Sequence, residues 1–101
     1  MSDPDPAAIA TAVEACPNVV AMSGGAMGTV ATYLPGRRIV GVRVHNANLE
    51  VHVVGRWDVP ILTLASEIRA AVTPLLTPGR NVEVVVEDVE DPPLSDSTAR
   101  P

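Results

Sequence analysis

Ile39-Val40-Gly41-Val42-Arg43-Val44-His45-Asn46-Ala47-Asn48-Leu49-Glu50-Val51-His52-Val53-Val54-Gly55-Arg56-Trp57 is the most regular stretch of the chain. Ile39 to His45 and Leu49 to Trp57 alternate apolar and polar side chains at period two, the pattern of two antiparallel strands with one buried face. With Asn46 facing Leu49, Val44 faces Val51 and Val42 faces Val53, which gathers the valines on one side. Sliding by one residue would set Val44 against Glu50 and scramble both faces. This register makes Ala47-Asn48 a two-residue turn, with a four-residue loop as its alternative because alanine adopts positive φ poorly. On the other face it sets Arg43 opposite His52 and His45 opposite Glu50, with His45 and His52 as diagonal neighbours.

Downstream, Asp58 or Val59 is positioned to cap a helix with Pro60 in its first turn. Ile61, Leu64, Ala65, Ile68, Val72 and Leu75 form its apolar face at helical spacing, and Pro74 should loosen the last turn. Asn81 to Val89 alternates Val82, Val84 and Val86 against Glu83, Val85 and Glu87, a final strand. Upstream, Asp3 or Asp5 can cap a short helix with Pro4 or Pro6 at its start, and Ile9, Val13 and Cys16 share one face before Pro17 stops it. Asn18 to Leu34 is read as a hairpin turning at Ser23-Gly24-Gly25, and Pro35-Gly36 as a further turn. Gly24 to Gly28 lacks the Lys-Ser/Thr of a phosphate loop, so a plain turn is favoured.

This order predicts an α+β two-layer sandwich: a mixed, mostly antiparallel sheet with two helices on one face and a split β-α-β core. Strand 39–45 is expected between 49–57 and 81–89, the latter two parallel. Residues 1–90 form one domain, and 91–101 a disordered acidic tail. Val42, Val44, Val51 and Val53 should be buried. The open face should present Arg43, His45, Glu50, His52, Val54, Glu83, Val85 and Glu87, the candidate interaction surface.

Composition bounds the function. The 101 residues carry a net charge of −5, with seven Arg, no Lys, 17 valines and two aromatics, Tyr33 and Trp57. An acidic chain without stacking residues on its open face is a poor nucleic-acid ligand, although that face is the alternative nucleic-acid reading. The lone Cys16 excludes an internal disulfide and reads as a small buried hydrophobe. His45, His52 and a Glu could bridge a metal, but a surface salt-bridge mesh with Arg43 accounts for the same residues, and no metal or other cofactor is expected. No apolar run approaches the length of a membrane span, and neither helix has the basic face that direct insertion into an anionic membrane surface requires.

The succession Ile9-Ala10, Val13, Pro17-Asn18-Val19-Val20, Gly41-Val42-Arg43-Val44, Leu49-Glu50-Val51-His52-Val53-Val54 and Val59-Pro60-Ile61 continues into Ala65-Ser66-Glu67-Ile68-Arg69-Ala70-Ala71-Val72 and Val82-Glu83-Val84-Val85-Val86-Glu87-Asp88-Val89. In order and spacing, over about four fifths of the chain, it resembles the alkaline shock protein family of bacterial envelope stress response proteins. Asn18 stands where the family usually has Gly, and Trp57-Asp58 where it favours an aromatic-Gly pair. The resemblance implies a non-enzymatic scaffold or adaptor on the cytoplasmic side of the envelope, held there by a membrane-embedded protein partner and prone to self-association. Two routes to self-association are expected, the open face and the edge of strand 49–57.

Overall fold

The computed structural model describes residues 4–46 and 48–91. All but the first residue of the expected acidic tail lies outside them. The elements run α1 (Pro6–Glu14), β1 (Val19–Met22), β2 (Ala31–Leu34), β3 (Arg37–Val40), β4 (Val42–His45), β5 (Asn48–Arg56), α2 (Ile61–Val72) and β6 (Asn81–Glu90). The architecture is α+β, with a mixed sheet and two helices contributing to one core.

Each helix is shaped by its prolines. Pro6 opens α1 while the Asp5 carboxylate accepts from Ala7 N–H at 3.0 Å. Ile9 and Val13 are fully buried and Cys16 nearly so. In α2 the cap position falls to Pro60 rather than to Asp58 or Val59, with no side-chain cap bond; Asp58 instead accepts from Arg56 Nε at 3.3 Å. Leu64, Ala65, Ile68 and Val72 are buried, but Ile61 and Leu75, at the two ends of the expected stripe, remain exposed. Pro74 cannot continue the α-helical ladder, and Thr73–Leu75 tightens into a 3-10 turn. A Cβ placed on Gly55 would collide with Leu64 Cδ2, so the glycine is what lets α2 lie close against β5. Asn18 Nδ2 donates to Glu67 Oε2 at 2.7 Å, tying α2 to the entrance of β1.

The sheet differs from the expected order. β5 is its centre: β6 pairs along one side, parallel, while β1 and β4 share the other side, both antiparallel. Thus 39–45 does not lie between 49–57 and 81–89. The two parallel strands of the β5-α2-β6 unit are direct neighbours, β5 is paired along both sides, and among the described residues no strand lies against the second edge of β6. The run 39–45 is itself broken at Gly41, whose φ of 84° is closed to valine-like residues. Its first half, β3, pairs with β2 in a separate two-stranded ribbon. The hairpin over 18–34 therefore does not form. Pro35-Gly36, with Gly36 at φ 76°, supplies the Pro-then-Gly chemistry of a tight turn and joins β2 to β3, leaving β1 to pair with β5.

The β4–β5 register is displaced by two residues: Val42 opposes Val51, Arg43 opposes Glu50, Val44 opposes Leu49 and His45 opposes Asn48. A two-residue shift keeps every side chain on its face, so alternation cannot distinguish the two registers. The turn decides. Closing at His45–Asn48 gives the positive-φ position to Asn46, at φ 54°, which asparagine tolerates. Val42, Val51 and Val53 are fully buried as expected, whereas Val44 is half-buried.

Candidate functional site

The face of the sheet away from the helices carries the expected residues, but they are not equally open. Arg43, His45, Glu83 and Glu87 are exposed, Glu50, Val54 and Val85 are half-buried, and His52, expected at the surface, is only 7 % exposed. Two features bury it. His52 lies where β1 and β4 meet along β5: it donates N–H to Gly41 O at 2.8 Å and accepts at its C=O from Ser23 N–H at 2.9 Å. The loop after Ser23 then crosses beside it. Val30, itself buried, bonds Gly24 and Gly41 through its N–H and C=O, and a Cβ on Gly25 would lie 3.6 Å from the Glu87 carboxylate. The glycines of this loop shape a cover, and no helix follows them.

Through the buried His52 runs a chain of alternating charge whose ends, Arg43 and Glu87, are exposed. Arg43 Nη2 donates to Glu50 Oε1 at 3.0 Å, the same oxygen lies 3.2 Å from His52 Nε2, and His52 Nδ1 lies 2.6 Å from Glu87 Oε2. Ionised carboxylates only accept, so both contacts are made together only when both ring nitrogens carry protons. Burial is the largest single influence on the Glu50 carboxyl and pushes it up. The hydrogen bonds from His52 and Arg43, with their charges, outweigh it and hold the group below its ordinary value. Glu87 reaches the ring from a bulge: Val53 pairs with Val86 and Val54 with Asp88, leaving Glu87 extra in its strand.

The arrangement corrects two sequence expectations. Arg43 faces Glu50 rather than His52, and His45 faces Asn48 rather than Glu50. His45 and His52 are therefore not diagonal neighbours, and they do not converge. The two carboxylates near His52 sit on opposite sides of its ring. Among the described residues no group of three or more His, Cys, Asp or Glu side chains is placed to hold a metal. Cys16 is held between the carbonyls of Ala12 and Glu67, and burial, with the Glu67 charge, pushes its thiol up, the setting of an unreactive thiol. The cover over His52 was missed from sequence, since residues 23–30 show only Gly and Ser turn chemistry.

Among the described residues no helix is long and apolar enough to cross a membrane. The chain matches no family model, no curated protein and no solved structure.

Proposed function

We propose that this protein is a non-catalytic scaffold or adaptor of the bacterial envelope stress response, held at the cytoplasmic side of the membrane by a membrane-embedded protein partner. The family reading rests on the ordered resemblance along residues 9–89. The observation that carries the non-catalytic reading is the Arg43–Glu50–His52–Glu87 chain. Its titratable groups are bonded to one another and the His52 ring among them is buried, whereas a general acid or base must reach a reacting atom. The remaining exposed part of the face, around Arg43, His45, Glu83 and Val85, is the contact surface of this reading and also its route to self-association. Net charge −5 and a half-covered face without aromatic side chains weigh against nucleic acid as the partner.

The test is in-cell crosslinking from Cys introduced at His45, followed by identification of adducts in the membrane fraction. A membrane-embedded protein crosslinked from His45, and lost with Glu83→Arg, supports the reading. A chain found wholly in the soluble fraction without such an adduct, before and after alkaline or cell-wall stress, overturns it.

A further inference from the structure

β5 is paired along both sides, but among the described residues no strand lies against the second edge of β6. The direction of the backbone groups there follows from the register. His52 uses its N–H and C=O on Gly41 and Ser23, so even-numbered residues of β5 face β4 and β1 and odd-numbered ones face β6. In a parallel pair Val51 then bonds the residues flanking its partner Val84, namely Glu83 and Val85. The N–H and C=O groups of Val82, Val84 and Val86 consequently point away from the sheet. Arg69 Nη2 reaching the Val82 carbonyl from α2 at 3.4 Å, and Trp57 N–H meeting the Glu90 carbonyl on the β5 side at 3.1 Å, agree with this orientation at both ends.

The side chains along this edge are also incompletely covered. Val82, Val84 and Val86 pack against the core yet are only half-buried, while Leu49, Val51 and Val53 of β5 have no exposure. Neither Pro nor Lys, the usual guards of an edge, occurs in Asn81–Glu90. Apart from the Arg69 guanidinium over the Val82 carbonyl, the exposed charges along the strand are negative: Glu83, Glu87, Asp88 and Glu90.

That charge selects the occupant. A second copy pairing antiparallel through the Val84–Val86 stretch of β6 meets like charge: registers centred on Glu83 or Val85 oppose acidic side chains directly, and one centred on Val84 leaves Glu83 and Glu87 on the diagonal. One centred on Val86 opposes core-facing Val84 to Asp88. We propose that the free edge of β6 takes up an extended basic segment of another protein as an added strand. Its backbone pairs with Val84 and Val86, its apolar side chains continue the core face, and its Arg or Lys side chains meet Glu83 and Asp88. This docking mode is independent of where in the cell the protein works.

The probe is a fluorescent peptide of alternating arginine and valine, titrated into the full chain. Saturable binding is expected, weakened by salt, with amide shifts confined to residues 81–90. Methylating alternate peptide nitrogens leaves the charge intact. One of the two alternating sets should lower affinity by at least about tenfold, and the other should spare it. Glu83→Arg with Asp88→Arg, both at exposed positions, should transfer the preference to a glutamate–valine peptide. The proposal is overturned by absence of saturable binding, by equal binding of both methylated peptides, or by shifts on another face. Sedimentation showing that a second copy occupies the edge overturns it as well.

Discussion

His52 shows how one residue's role depends on what the fold places around it. Its side chain is paired at both nitrogens to carboxylates from two different strands, Glu50 on β5 and Glu87 on β6. His52→Gln removes the ring that contacts both carboxylates, and the partly buried oxygens lose one or both of these partners. A loss of about 1–3 kcal/mol is expected at neutral pH by urea denaturation. Adding Glu87→Gln should restore part of it, because the pair is coupled. Equal losses in the single and double variants would show that the ring contributes packing alone. The Glu50 carboxyl gives a pH signature. It is held below its ordinary value of 4.5 in the native protein, so on acidification the unfolded chain takes up the proton first. Its stabilisation is present above that ordinary value and is lost as pH falls through the depressed native one. Wild type should therefore lose stability more steeply than Glu50→Gln on acidification, the two curves converging at low pH. Parallel curves would contradict the assignment.

At the scale of elements, Gly41 divides what reads as one valine-rich strand into β3 and β4. A Cβ there would lie 2.8 Å from the His52 carbonyl oxygen at a φ of 84°, whereas Gly36, at a similar φ, has open space around it. Gly41→Ala should thus cost clearly more than Gly36→Ala, about 3 against about 1 kcal/mol, in parallel thermal melts. Equal costs would mean that β3 and β4 can rejoin. This glycine marks the boundary of what was legible. Period-two alternation identified the faces of β4, β5 and β6 and the helical spacing of Leu64, Ile68 and Val72, because those patterns are local. It could not detect a two-residue slip, which preserves parity and is settled by Asn46 in the turn. Nor could it reveal that β1 pairs with β5, or that 23–30 covers His52. Both depend on contacts distant in sequence, and Ser and Gly advertise a turn without saying what it lies over. The candidate face was legible as a set of residues, and its burial was not.

At the scale of the whole molecule, the face left uncovered bears on self-association, the part of the proposed function most directly open to measurement. Arg43, Glu50 and Glu83 fall in one row across β4, β5 and β6, because Arg43 opposes Glu50 and Glu50 opposes Glu83. A two-fold axis over this row brings Arg43 of each copy toward Glu83 of the other, with half-buried Val85 beside them. The energy available is small. Exposed ion pairs contribute about 0–1 kcal/mol each, and two chains of net charge −5 repel at long range. The expected association is therefore weak, with a dissociation constant on the order of 0.1–1 mM. Light scattering over a concentration series should show mass rising toward a dimer at low salt and falling back when salt is added, since the pairs are solvent-exposed. Glu83→Arg should weaken the dimer, and combining it with Arg43→Glu should recover it by exchanging the charges across the contact. A monomeric mass at every concentration and salt level would remove this face as a route to self-association and leave it only the partner-binding role.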